Sequence, residues 1–139
     1  MFQITENEIN QQHLSDLVSR PQAGAISLFV GITRDNQSGR SVEFLEYEAY
    51  QPMAIKMLEE IAGEAHKKWK LEAIAIHHRI GRVKIQEASV VIAVSSAHRL
   101  EAIEACHYLI DRLKEVVPIW KKEFFSDKSS QWLANRPRQ

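Results

Sequence analysis

The run from Glu87 to Ala97, EASVVIAVSSA, constrains the fold of this chain more than any other segment. After its first residue it is entirely apolar or small, the pattern of a central strand buried on both faces. The residues around it give a coarse order of elements. Residues 6–20 read as a short helix with Leu14, Leu17 and Val18 on one apolar face, closed by Arg20-Pro21. Gly24 to Arg34 is rich in β-formers and reads as a strand. Asp35 to Arg40 is a turn cluster, and the alternation in Ser41 to Tyr50 reads as the second strand of a hairpin. Pro52 suits the first turn of a helix, where its missing N–H costs nothing, and Ala54, Leu58, Ile61, Ala65 and Trp69 continue at helical spacing. Leu71 to Arg79 is a further strand, joined to the central one by a connection, Ile80 to Gln86, around Gly81. A second long helix, from about His98 to Val116, carries the stripe Ile103, Cys106, Ile110, Leu113 and Val117. Ile119 to Phe125 forms the last strand. The tail from Ser126 is polar except for Trp132 and Leu133, and the tryptophan points to a tail folded back onto the body.

From Ser41 onward the order is β-α-β-β-α-β. It favours a two-layer α+β domain with helices on one face of a mixed or antiparallel sheet, extended or flanked by the preceding strand. The 139 residues fit a single domain, 1–139, with a real core. Eighteen Lys and Arg balance eighteen Asp and Glu, so no overall field recruits nucleic acid or a membrane, and any anion site must come from local clustering. No apolar run approaches the roughly 20 residues that span a bilayer. The N-terminus lacks the basic flank and apolar stretch of a signal peptide. Cys106 is the lone cysteine, which excludes an internal disulfide and a cysteine-rich zinc site and agrees with a reducing cytoplasm.

Local clustering is strongest in Ile110 to Glu123, IDRLKEVVPIWKKE. The helix ends just after Lys114, Pro118 breaks the chain and biases the residue before it toward extended geometry, and Lys121 and Lys122 follow in a strand. A bend between two lysines lets them converge on one pocket, whereas a continuous helix would only line them up along its side. One lysine at a helix end answers the carbonyl dipole; several cations at a chain reversal await an anion. Alternation places Lys121 with Ile119 and Glu123, opposite Trp120, Lys122 and Phe124, and leaves open which lysine faces inward. The alternative for both is a solvated surface lysine.

Other candidates are weaker. His98-Arg99 stands at a strand-to-helix junction, where helix N–H groups bind anions, with Ser95 and Ser96 available as caps. Arg34 closes its strand, and Gly31 just upstream marks a bulge or a close backbone approach. Arg136 and Arg138 flank Pro137 in the tail. His77 and His78 are adjacent in a strand and point to opposite faces, so they cannot chelate one metal as a pair. His13, His66 and His107 lie in helices without ligand spacing, and no metal site is expected. Cys106 reads as a buried structural thiol. Glu46, Glu48 and Glu87 read as partners in structural ion pairs.

Taken together, GAISLFVGITRDNQSGRSVEFLEYEAY, IHHRIGRVKIQEASVVIAVSSAHR and IDRLKEVVPIWKKE, followed by a tail tryptophan and arginine, resemble the catalytic (large) subunit of molybdopterin synthase, the MoaE family. The resemblance covers roughly Gly24 to Arg136. It departs at Gln86, where the family usually has glycine, which bears on the local turn. The resemblance implies an α/β hammerhead fold with an added β subdomain. It implies a sulfurtransferase of molybdenum cofactor biosynthesis that builds the dithiolene of molybdopterin on cyclic pyranopterin monophosphate (precursor Z). The sulfur comes from the C-terminal Gly-Gly thiocarboxylate of a small ubiquitin-like subunit, and no cofactor is implied. By the same resemblance Lys114 and Lys121 are catalytic, and Arg34, His98, Arg99 and Arg136 bind substrate. Two large subunits form a dimer with a small subunit at each end, a heterotetramer, and His98-Arg99 of one protomer serves the pocket of the other.

A sulfurtransferase competes here with a small ligand-sensing or RNA-binding module and with a scaffold. An RNA-binding sheet needs exposed aromatics in alternation on adjacent strands. Phe44 and Tyr47 point to opposite faces and the central strand is aliphatic, which weighs against it. A scaffold would leave both lysines dispensable.

Overall fold

A computed structural model describes residues 1–134. In chain order the elements are β1 (Phe2–Thr5), α1 (Gln11–Val18), β2 (Ala25–Ile32), β3 (Asn36–Gln37), β4 (Arg40–Ala49) and α2 (Gln51–Lys68), then β5 (Ala73–Arg79), β6 (Gly81–Lys84), β7 (Ala88–Ser96), α3 (Arg99–Val116), β8 (Ile119–Phe125) and β9 (Ser130–Ala134). The apolar run is β7, and it is central: the first sheet has the order β1-β5-β7-β2, with β1 parallel to β5 and the other pairs antiparallel. Alternation along β5 and β7 sends two apolar sets to opposite faces. Ile74, Ile76, Val90, Ile92 and Val94 pack against α2 and α3, which lie together on one face. Ala73, Ala75, Val91 and Ala93 receive Leu14 and Val18 of α1 on the other. The small residues on that second face let a two-turn helix sit close to the sheet.

The second sheet runs β3-β4-β8-β9, with β6 also on β4. Together the sheets give the α+β architecture with its added β subdomain. The chain passes from one sheet to the other at Thr33 to Asp35, and here the expected hairpin gives way. The strand beginning at Ala25 pairs with β7, not with β4, and its register shifts at Gly31/Ile32. The tight hairpin is instead β3–β4, turning at Ser38 and Gly39, both at positive φ. The connection expected over Ile80 to Gln86 contains a strand, β6, laid antiparallel on β4 from Phe44↔Lys84 to Tyr47↔Gly81. Chain beyond Phe125 returns along β8 through a ladder from Phe124↔Ser130 to Trp120↔Ala134.

Two helix expectations are corrected. α3 buries Ala102, Ala105, Cys106, Leu109, Ile110 and Leu113, while Ile103 is 54% exposed, because alanines carry the buried stripe where the larger isoleucine had been placed. The N-cap of α3 is His98 without a side-chain capping bond, and the Ser96 hydroxyl donates to the His98 carbonyl oxygen instead of accepting from a helix N–H. Among the described residues no helix is long and apolar enough to cross a membrane.

Candidate active site

Pro118 does what its position in the sequence requires. α3 stops at Val116, Val117 is extended, and β8 departs from Ile119 to pair with β4. Ile119, Glu123 and Phe125 of β8 are buried, whereas Trp120 is 40% exposed, so the odd-numbered face is the inner one. That settles the choice the alternation left open. Lys121 faces inward, and Lys122 lies outside over the rings of Phe124 and Trp132, at 5.2 and 5.3 Å.

Lys114 and Lys121 line one cleft of about 400 Å³. It opens where the end of β2 leaves the first sheet and meets β4 and β8 of the second. Arg34 stands at its rim beside β3, donating to Gln37 Oε1 at 3.2 Å. The backbone of Gly31 forms part of the wall. A Cβ there would come within 2.8 Å of Val90 Cγ1, so glycine is required by close approach, at the same point as the bulge. Burial of the amine, followed by the like charge of Lys121, lowers the pKa of Lys114 from its ordinary value. Lys114 as a whole remains exposed to solvent, so this desolvation is partial. Among the described residues neither lysine makes an ion pair with a carboxylate.

The cleft also holds groups that the sequence did not single out. Glu123, only 3% exposed, shares the inner face of β8 with Lys121. Tyr47 lies opposite Lys121 in the β4–β8 register and interacts with the Ser89 side chain; burial, and behind it the Glu123 charge, raises its phenol pKa. His78 lies behind Tyr47, with ring centroids 5.1 Å apart and edge-on. Strand alternation was the available signal for Glu123, since it travels with Ile119.

A second, more apolar groove of about 570 Å³ runs between the free edge of β2 and α3, past Leu28, Ile103 and Cys106. Phe29, Ile110 and Lys114 line both, so Lys114 stands where groove and cleft join. Cys106 is buried, and burial raises its thiol pKa, the opposite of an activated nucleophile.

Not every candidate converges. His98 and Arg99 are exposed at the start of α3. Fifteen residues of helix separate Arg99 from Lys114, roughly 22 Å at the rise of an α-helix, so within one chain the pair is remote from the cleft. Arg136 and Arg138 lie outside the described residues. Glu87 accepts from the Lys84 N–H at 2.7 Å and pairs with Arg79 at 3.3 Å, a structural role. Aromatic side chains do gather on one open face of the second sheet, where Phe44 stacks on Phe124 at 4.4 Å under Arg82, a grouping that comparing Phe44 with Tyr47 missed.

Residues 4–116 match the family described as "MoaE protein". The chain is 48% identical over 136 residues to the molybdopterin synthase catalytic subunit of Homo sapiens, covering 98% of this chain and 72% of that protein. It is 47% identical over 135 residues to the corresponding subunit of Bacillus subtilis (strain 168), covering 97% and 85%. The crystal structure of molybdopterin synthase from Staphylococcus aureus superposes with a TM-score of 0.90 at 42% identity, over 94% of this chain and 95% of that one.

Proposed function

This chain belongs to the MoaE family of molybdopterin synthase catalytic subunits, and on that premise we propose that it transfers sulfur from a partner's acyl-sulfur terminus to precursor Z, forming the dithiolene of molybdopterin. The observation that carries the proposal is the single cleft shared by Lys114, Lys121 and Arg34 at the meeting of the two sheets. The substrate's cyclic phosphate is an anion that Arg34 can hold through charge-assisted hydrogen bonds. Lys114, at the join of groove and cleft, meets the C-terminal Gly-Gly thiocarboxylate of a small ubiquitin-like subunit. A lysine whose amine is easier to deprotonate than usual is suited to act as a base, and its charged form stabilises negative charge developing on the acyl oxygen. Lys121 moves protons during sulfur addition and the loss of water. Cys106 is buried with a raised pKa, so the sulfur is best supplied by the partner.

His98 and Arg99 enter this scheme through a second copy. In a homodimer the exposed start of α3 in one protomer reaches the cleft of the other and adds cations that a single chain lacks there. Arg136 of the tail supplies a further one. The working assembly is then a heterotetramer in the cytoplasm, with a small subunit on each large one.

The test mixes the purified chain with a thiocarboxylated ubiquitin-like partner and precursor Z, and follows by mass spectrometry a product carrying two added sulfurs. Lys114→Ala is expected to slow product formation by about 10²- to 10⁴-fold, and Lys121→Ala by less, the range for a positioned acid–base group. Wild-type rates in both variants would remove the two lysines from the chemistry.

A further inference from the structure

One carboxylate in this cleft has no part in the scheme above. Glu123 lies on the inner face of β8, two residues on from Lys121, lines the cleft and is 3% exposed. Strand pairing gives it Leu45 of β4 on one side and Gln131 of β9 on the other, neither of them a cation. Leu45 belongs with Val42 and Phe125 to the buried apolar cluster of this sheet. Among the described residues the Glu123 carboxylate makes no ion pair and accepts no hydrogen bond. A carboxylate withdrawn from water without donors costs free energy, and an unmatched acceptor in the wall of a cleft is where the donors of a ligand are expected. Its two oxygens accept side by side, so the best match is a pair of N–H groups pointing the same way. An anion is repelled from the same point. Arg34 is exposed at the rim, so the cleft is cationic at its mouth and carries an acceptor in its depth.

We infer that Glu123 is a specificity-determining residue: its carboxylate receives the 2-amino group and the adjacent ring N–H of a pterin, at the end of the substrate opposite the phosphate. This rests on the reading that precursor Z is the substrate, and it adds the group that recognises the ring. The pyrimidinone edge of a pterin carries those two donors in parallel, the fork that a carboxylate fits. The phosphate lies at the other end of the molecule, where Arg34 is available to it. With both ends held, the carbons that take up sulfur are fixed between them and cannot enter the cleft reversed. No bond to Glu123 forms or breaks; it binds and orients.

The test is binding at equilibrium with no sulfur donor present, so it is separate from turnover. 6-Hydroxymethylpterin and 6-hydroxymethyllumazine share one shape and differ at position 2, where the lumazine carries a carbonyl oxygen in place of the amino group. Their affinities for the purified chain are measured at neutral pH by isothermal titration calorimetry. Wild type should hold the pterin about tenfold or more tighter than the lumazine, because the carboxylate gains a donor from the one and faces an oxygen in the other. In Glu123→Gln the amide offers one acceptor and one donor, so the preference should shrink to about twofold or less, or reverse. A Glu123 with a structural role alone would weaken both ligands alike and leave their ratio unchanged. Equal affinities in wild type, no binding of the pterin by wild type, or an unchanged ratio in Glu123→Gln would each overturn the inference. The wild-type ratio is read without any variant, so a Glu123→Gln chain that fails to fold does not remove the test. Sulfur transfer by a wild type that does not distinguish the two ligands would leave the proposed function standing and end the inference. A pterin preference that depends on Glu123, in a chain that transfers no sulfur, would do the reverse.

Discussion

The two sheets belong to one chain and meet at one cleft, yet they are built to opposite rules. In the first, β5 is buried at every residue and β7 at all but its first, because α1 covers one face and α2 with α3 the other. In the second, β8 alternates: Ile119, Glu123 and Phe125 are buried while Trp120 is open. A sheet covered on both faces contributes mainly apolar cohesion, since each polar group buried there, such as His78 or Arg79, must be satisfied or costs free energy. A sheet with one free face can turn charged groups toward a cleft without closing them off from water. The candidate chemistry sits where the open sheet meets the frayed end of the sealed one.

That contrast predicts a division of labour between stability and activity. Leu109 is fully buried beneath the first sheet, and Leu109→Ala should cost about 2–5 kcal/mol through lost transfer energy and the cavity left behind. Trp120→Ala, on the outer face of β8, should cost no more than about 1 kcal/mol. Urea denaturation at constant m-value measures both. A Trp120 variant as damaging as the Leu109 variant would mean that the outer face is covered in the working protein and that the second sheet is as sealed as the first.

Acid sharpens the comparison at the one point where the sealed sheet holds an ionisable ring next to the cleft. Burial holds the pKa of His78 down to about 4, against 6.5 when exposed. Between those values the unfolded chain binds the extra proton, so stability is full above pH 6.5 and falls as the pH is lowered toward 4. By pH 4 this single ring should cost about 3 kcal/mol relative to neutral pH, from the difference of the two pKa values. Glu64, Glu87 and Asp127 have lowered pKa values and also lose stability in acid, so the quantity to measure is the difference between wild type and His78→Gln. Parallel stability curves for the two proteins between pH 7 and 4 would show that the ring is not sealed.

How far the sequence carried depended on the range of the interactions. The local periodicities gave α2, α3, β7 and β8 within a residue or two, because each has an amphipathic or apolar pattern of its own. β1 escaped notice because Phe2–Thr5 is too short to show a period, and it is defined only by lying parallel on β5. β6 was read as a connection for the same reason. The false hairpin shows the other limit. Chain proximity favoured pairing the strand from Ala25 with the one from Arg40, but the better partner, β7, lies far along the chain, and only its apolar faces make that pairing the stronger one. In the site, the proline bend was enough to suggest that Lys114 and a lysine of β8 converge, but which of Lys121 and Lys122 faces inward depended on the packing of β8, which buries Ile119 and Glu123. His98 and Arg99 were not placed by the same logic, since one helix holds them at the far end from Lys114. His78 and Tyr47 could not be found from spacing, because their importance comes from which face each strand turns to the cleft.

The smallest effect concerns the turn that feeds the sealed strand. Gln86 has φ +73, the left-handed region that costs a residue with a Cβ and not glycine. The turn is nonetheless complete: the Gln86 N–H donates to Thr33 O at 2.9 Å and the Glu87 N–H to Lys84 O at 3.0 Å. A left-handed glutamine therefore costs strain and leaves the architecture intact. Gln86→Gly should relieve that strain and stabilise the protein by about 0.5–1 kcal/mol, net of the extra freedom glycine gives the unfolded chain. Because Gln86 is bonded to Thr33 at the crossing between the sheets, the variant also tests whether strain there reaches the cleft. A gain in denaturation midpoint with an unchanged Lys114 titration is the expected result. A loss of stability would mean that the glutamine side chain makes a compensating contact, and a shifted Lys114 midpoint would mean that the turn and the cleft are mechanically one unit.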